Sequence, residues 1–584
     1  MSKILPEDKP LTELSSVNEN TPLSVIVENS VNVTKDENLV NDVQDSTHEV
    51  DYLTISGFES SSLSSASLSA NLLVDEFNVE DKLNKTFIGK QLLSIPFNCR
   101  VVAKNTYNRL LKLPVKGAFQ ANTYLRELCN FCKSMPVDVT WSDSQIELVG
   151  KTQASQCLQI VTNMHNLGDS KKAMVFALEA VLVGFSIKAR KGKYIDGDIA
   201  RYACDKWWRK KLSKLHSVSV ERVSQYVHLV SKKSQIYVTD ANFRKGRENK
   251  RRNQLFMAEL ELVNERGDVV DLTEMANSTN ANPVNRRNEL MARLHGFEVY
   301  ADKHGYVADF LTITCPSRMH PVHSSGRPNE KFDSTSPKQA NQYLGSQFAK
   351  CRAHLARLNV DYFGFRVAEP HHDATPHWHI LVFVKPEQRH ILRETFSFYA
   401  LQVDGDETGA QKYRFTVEPI LKSKGSAVGY IAKYISKNID GFGVDKDNYG
   451  NPADIAALRV SEWSSLWGIR QFQQFGGPPV SLWREARRLA LKEEVNISSV
   501  WVAADSGNWC EFIEALGGVN VKRKDLPVQL VKEFIETEGE YLEPIGYVIK
   551  GLSCGGEVYV SREHTWTKRR KENESSLGLG ENEV

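Results

Sequence analysis

No run of about 18 apolar residues occurs in the 584-residue chain, so no segment reads as a membrane-spanning helix. The first residues lack a basic stretch followed by an apolar core, so they do not read as a secretory signal. The nine cysteines are scattered and odd in number, which argues against a disulfide framework and for free thiols in a reducing compartment. Cys129 and Cys132 form a lone CxxC with no second pair at zinc spacing, and are expected to be ordinary helical cysteines. No Gly-x-x-x-x-Gly-Lys-Ser/Thr loop is present, which removes a helicase engine from consideration. The expectation is a cytoplasmic protein without a membrane segment.

What is present is charge, unevenly spread. The net charge of +2 conceals an acidic arm, since residues 1–80 hold 3 basic and 15 acidic residues. The remainder holds 71 basic against 57 acidic residues, an asymmetry that points toward nucleic acid. Residues 1–80 are also Ser-rich and poor in aromatic clusters, and read as a disordered arm that cannot offset its chain entropy. Helical periodicity dominates from about 85 to 265. Within it, residues 188–252 carry 19 Lys and Arg against 6 Asp and Glu, interleaved with Tyr202, Trp207, Trp208 and Tyr237. This stretch is expected to bind DNA through its phosphates.

A linker is expected over 265–285, and a mixed pattern follows over 290–445. Strands are expected at 310–314, 362–369, 377–384 and 414–420, and helices at 337–358, 388–401 and 426–438. The order β-α-β-β-α-β-α predicts an α+β domain with an antiparallel, ferredoxin-like sheet and helices on one face. Residues 446–567 read as an accessory region with no legible chemistry, and 568–584 as a disordered tail.

The segment from Glu369 to Phe383 is the most informative. His377 and His379 stand two apart on a strand, so both imidazoles leave one face while Trp378 leaves the other. Two adjacent imidazoles are a ready pair of metal ligands. If residues 370–376 form the turn, Glu369 lies opposite His377 and completes the set. A one-residue slip would favour His372 or Asp373 instead. A carboxylate with imidazoles and no thiolate suits a hard catalytic ion better than structural zinc.

Downstream, Tyr430-Ile-Ala-Lys433-Tyr434-Ile-Ser-Lys437 is a tandem repeat. Four residues advance slightly more than one helical turn, so Tyr430 and Tyr434 stack about 6 Å apart on one side. Lys433 and Lys437 share that side, whereas Val428, Ile431 and Ile435 form a separate packing stripe. Phenol nucleophiles with cations nearby for phosphate charge would account for this arrangement.

His-Trp-His on a strand, Tyr-x-x-x-Tyr on a later helix and the upstream strand Phe310-Leu-Thr-Ile-Thr314 together resemble the HUH endonuclease superfamily, two-tyrosine branch. Within it the likeness is to the replication gene A proteins of temperate tailed phages, over about 290–490. The resemblance implies an HUH endonuclease domain at 290–445 that nicks and rejoins DNA at a replication origin, and so starts and ends rolling-circle replication. His377, His379 and a third ligand would hold Mg2+ or Mn2+, and a tyrosine would become linked to the DNA 5′ end. The partners implied are duplex and single-stranded origin DNA, a host polymerase and a host helicase. Two other readings are a conjugative relaxase or HUH transposase with the same chemistry, and a non-enzymatic nucleic-acid binder with a structural metal.

Overall fold

The computed structural model describes residues 87–190, 194–447, 449–489 and 495–571. The acidic arm and residues 572–584 lie outside the described residues. The chain is α+β with antiparallel sheets. No helix among the described residues is long and apolar enough to cross a membrane. All nine cysteines are free, and Cys129 and Cys132 are buried in the helix Gly117–Lys133.

Two units can be distinguished. The first draws on Trp141–Leu215 and Glu536–Ile545. It contains the helices Asp143–Asn166, opened by a Ser142–Gln145 capping box, and Lys171–Gly184, capped by Ser170. Trp207 packs edge-on against Tyr202 and against Trp208, and all three are buried. Those aromatics therefore build a core and are not available to DNA. The cations Arg209, Lys210 and Lys211 are exposed.

The second unit draws on Thr86–Thr140, His216–Ile535 and Gly546–Val584. Its central sheet has five strands: β1 (Val307–Ile313), β2 (Tyr362–Pro370), β3 (Pro376–Val384), β4 (Phe415–Pro419) and β5 (Phe472–Phe475). They are antiparallel throughout, in the order β4-β1-β3-β2-β5. Every strand and helix expected between 310 and 438 is present, with boundaries moved by up to three residues at one end.

Helices cover both faces of this sheet, which corrects the expectation of one. Helices α1 (Pro283–Lys303) and α4 (Ala427–Ile439) pack on the face carrying Phe310, Phe363, Phe365 and Leu381. Helices α2 (Pro337–Arg357), α3 (Arg389–Ala400) and α5 (Ala453–Trp467) pack on the face carrying Leu311, Trp378, Ile380 and Val382. The reason is visible in β3, where Ile380 to Val384 is continuously apolar and so has no face to offer water. The β2–β3 turn is held from this second side, where the buried Trp463 indole donates to the Ala374 carbonyl at 2.9 Å.

The 265–285 stretch expected as a linker holds the short helix Leu272–Ser278 and the Asn282 cap of α1. Residues beyond 445 complete the core. β5 is the fifth strand of the sheet, and Trp483 and Trp509, 5.0 Å apart, join the core on the α1 side, where Trp509 meets Phe297.

A buried ion cluster ties α3 to β1. Asp309 is fully buried and accepts from Arg389 at 2.5 Å and from Arg393 at 2.7 and 2.8 Å. Burial alone would raise its pKa, but the two guanidinium groups overcome this and hold it below the usual carboxylate value. Asp309→Ala is expected to cost about 2–4 kcal/mol, within or just below the range for a broken buried pair because both arginines keep some water. A depressed carboxylate contributes fully at neutral pH and loses its contribution as pH falls below about 4. Urea midpoints for wild type and variant should therefore differ clearly at pH 7 and converge in acid.

Candidate metal and nucleophile site

The β2–β3 hairpin has the register expected from its turn: Glu369 pairs with His377 and Val367 with His379. Glu369, His377 and His379 consequently leave the same face, the one on which α4 packs. The two Nε2 atoms are 3.0 Å apart. One Glu369 carboxylate oxygen lies 3.9 Å from the His377 Nε2 and 3.7 Å from the His379 Nε2. Among the described residues, these three form the cluster of potential ligands whose donor atoms converge, within 4.8 Å of one another. The alternatives for a slipped register are engaged elsewhere. Asp373 accepts from Thr375 N at 3.0 Å and lies 2.9 Å from His320 Nδ1, while His372 sits against the Tyr449 ring.

Neighbouring strands and helices set the three groups. Thr312 pairs with His379 across β1 and β3, and its hydroxyl lies 3.0 Å from His379 Nδ1. An Nδ1–H donated to Thr312 leaves the Nε2 lone pair facing the cluster. On α4, Asn438 donates to Glu369 and also to the Tyr434 carbonyl. His371 stacks on His377 with ring centroids 4.1 Å apart.

The electrostatics favour a bound cation. Burial pushes the Glu369 carboxyl up to about 7, against the Asn438 hydrogen bond and the Lys437 charge. Burial, with help from His371 and Lys437, brings His379 down to about 3. His377 is held well below the usual imidazole value by burial and by its neighbours His371 and His379. Both imidazoles are thus neutral, the form that binds metal, and the buried carboxylate lacks the full compensation that a cation would give. The oxygen and imidazole donors fit a divalent ion.

Helix α4 carries the tyrosines over this cluster, while Ala427, Ile431, Ile435 and Ile439 bury the neighbouring stripe in the core on the same side of the sheet. Phe310 of β1 lies between them, with its ring centroid 5.1 Å from Tyr430 and 5.1 Å from Tyr434, and it stacks on His379. The tyrosines are not equivalent. Tyr434 is half-buried, with its ring 4.2 Å from that of His379, and it lines a cavity of about 250 Å³ together with Glu369, His377 and His379. Tyr430 is exposed and donates to Glu418. Burial and the nearby Glu369 push the Tyr434 phenol up to about 12, while the Glu418 hydrogen bond is the main cause raising Tyr430.

The lysines separate as well. Lys437 lines the cavity with its pKa lowered by burial, whereas Lys433 is exposed and borders a different depression beside Ala432 and Ser436. Sequence reasoning missed Asn438, although Tyr430, Tyr434 and Asn438 are spaced four apart on one helical side. It also missed Thr312, which shares a strand face with Phe310. Tyr237, Asp447 and Tyr449 complete the cavity from distant segments, with the Tyr237 hydroxyl donating to Asp447 at 3.1 Å.

Residues 185–442, which span this site, match the family described as bacteriophage replication gene A protein (GPA). This segment is thus similar to the phage replication gene A proteins. Relatives include a probable replication protein P12 of Pseudoalteromonas phage PM2, 38% identical over 388 residues, covering 65% of this chain and 60% of the relative. The replication gene A protein of Escherichia phage 186 is 42% identical over 338 residues, covering 56% of this chain and 49% of that protein. A probable replication endonuclease from a prophage-like region of Salmonella typhimurium is 37% identical over 366 residues, covering 59% of this chain and 45% of that protein. The chain thus spans between 45% and 60% of the length of these relatives. No solved structure matches the chain.

Proposed function

We propose that this chain is a site-specific DNA endonuclease and strand transferase that nicks a phage replication origin through a covalent 5′-phosphotyrosine, and so initiates and terminates rolling-circle replication. The observation that carries this reading is the Tyr434 ring standing over a buried carboxylate–imidazole cluster in one cavity. The β-α-β-β-α-β order with strands β4-β1-β3-β2 supports a ferredoxin-like HUH fold. The name replication endonuclease carried by a relative supports nuclease chemistry.

In this reading His377, His379 and Glu369 hold a magnesium or manganese ion. When bound, the ion supplies Lewis-acid polarisation of the scissile phosphate. The Tyr434 oxygen forms a bond to phosphorus as the bond to the 3′ oxygen breaks. The phenol loses its proton to solvent and the departing 3′ oxygen gains one. Lys437 sets positive charge beside the phosphate, while Asn438 and Thr312 orient Glu369 and His379. The new 3′ hydroxyl is the primer for a host polymerase, with a host helicase opening the duplex ahead. Because the phosphotyrosine keeps the bond energy, rejoining needs no ATP. Lys433 is the weakest candidate for a chemical role, since its side chain borders the other depression.

The direct test is incubation with supercoiled DNA carrying the origin, together with manganese. A nicked circle with protein on its 5′ end is expected, and intact DNA under all conditions overturns the reading. Glu369→Ala should raise the metal concentration needed for half-maximal nicking on the order of 10-fold or more. If only His372 or Asp373 variants shift that concentration, Glu369 is not the third ligand. The domain reading assigns DNA affinity to 188–252. Replacing Arg209, Lys210 and Lys211 with Gln should weaken duplex binding and reduce its salt slope by up to about 3. An unchanged slope would make this a solvated helical surface.

A further inference from the structure

The helix Asp240–Ala258 is 19 residues long and buries none of them. It is anchored along one side only. The Asn242 amide donates to the Ser217 carbonyl at 3.1 Å and to Glu221 at 2.7 Å. Arg459 lies 4.8 Å from the Phe243 ring centroid, and Lys250 pairs with Glu462. Residues 242, 243, 246 and 250 share that side at helical spacing. The opposite side presents Arg244, Arg247 and Arg251, three and four residues apart and all exposed. Arg251 is engaged by Glu248 at 3.1 Å, and no carboxylate among the described residues pairs with Arg244 or Arg247.

A second source of charge reaches this helix from the far end of the chain. The helix leads into the strand Leu260–Asn264, which pairs with Trp566–Arg570. Lys568 and Arg570 alternate onto one face of that strand, and the Lys568 ammonium lies 5.8 Å from the exposed Phe256 ring at the helix end. Arg569, on the other face, is taken by Glu261 at 2.6 Å. The helix start is tied to the cavity as well. Arg459 also donates to the Val238 carbonyl at 2.9 Å, and its own helix, α5, lends Ala456 and Val460 to the cavity wall.

We propose that the outward face of helix 240–258, extended by Lys568 and Arg570, is a docking surface for duplex DNA beside the cavity. The inference deepens the DNA-binding reading of residues 188–252 by placing the contact on this helix, and it rests on the nuclease reading for its position next to chemistry. Charge complementarity selects a polyanion. A straight helix about 28 Å long with an arginine stripe has the width and reach of a major-groove element. The exposed rings of this surface, Phe256 and Trp566, lie at the helix end and on the strand, whereas the Arg244–Arg247–Arg251 stripe presents cations without stacking partners, as a duplex backbone requires and a single strand does not.

The test uses the full chain, a labelled duplex oligonucleotide and its single-stranded counterpart, with binding followed by anisotropy across a salt series. The triple variant Arg244→Gln, Arg247→Gln, Arg251→Gln should lose duplex affinity at least about tenfold and reduce the salt slope by up to about 3. Lys568→Gln with Arg570→Gln should reduce that slope by up to about 2. All five side chains are exposed, so an unchanged thermal midpoint is expected and checks the fold. Cleavage of a single-stranded oligonucleotide should be unchanged, since none of these residues lines the cavity. Unchanged duplex affinity and slope in both variants overturns the proposal, as does a loss confined to the single strand. A wild-type chain that cuts no DNA sinks the nuclease reading, and the duplex titration then decides this surface alone.

Discussion

Replacing His377 or His379 with Ala is expected to lower metal-dependent nicking on the order of 10³-fold or more, while duplex affinity and thermal midpoint stay near wild type. The two Nε2 atoms lie 3.0 Å apart, so each variant removes one of a pair of adjacent donors. A neutral imidazole contributes a lone pair and no charge, so its loss removes a donor without adding charge to the buried site. Manganese binding, read by calorimetry or electron paramagnetic resonance without DNA, should weaken in parallel with activity. A double variant that cleaves at the normal rate in chelating buffer would eliminate the metal-dependent mechanism.

The second large effect concerns the tyrosines. With both changed to Phe, cleavage of a single-stranded origin oligonucleotide should fall about 10⁴-fold or more, as when a nucleophile is deleted. The single variants should differ. Tyr434 lies in the cavity beside His379, so Tyr434→Phe should lose most of the first cleavage. Tyr430 donates to Glu418 at the exposed side of the same Phe310 ring, so Tyr430→Phe should retain much of it.

Both single variants should nevertheless fail to complete strand transfer to a released circle. In the proposed mechanism the enzyme would, after one round, still be joined to the old 5′ end through one tyrosine and would have to cut the regenerated origin with another. Two phenols four residues apart on one helix can alternate without releasing the first intermediate. Mass mapping of the tyrosine-linked peptide, combined with a circularisation assay, separates these steps. A single variant that terminates at the normal rate would show that one tyrosine is structural.

Much of this site was legible in one dimension because strand and helix periods are short-range rules. Alternation in β3 put His377 and His379 on one side and Trp378 on the other, and the turn length placed Glu369 opposite His377. The packing stripe beside the tyrosines on α4 followed from Ile431 and Ile435 in the same way. Two points that period leaves open were decided by packing. The aromatics interleaved with the basic stretch look alike in sequence whether they face DNA or a core, and Trp207, Trp208 and Tyr202 face a core. Lys433 and Lys437 read as equivalent partners, yet only Lys437 reaches the cavity.

The identity of the donors, the hairpin register and the spacing of the phenols were already set by local order, because backbone geometry alone decides which neighbours share a face. The second layer of helices, the fifth strand, the cavity wall from Tyr237 and Tyr449, and the pairing of Leu260–Asn264 with Trp566–Arg570 depend on contacts between distant segments. No periodicity encodes such contacts. They are selected by the burial of complementary apolar faces and by the pairing of strand edges, and these are settled only when the whole chain packs.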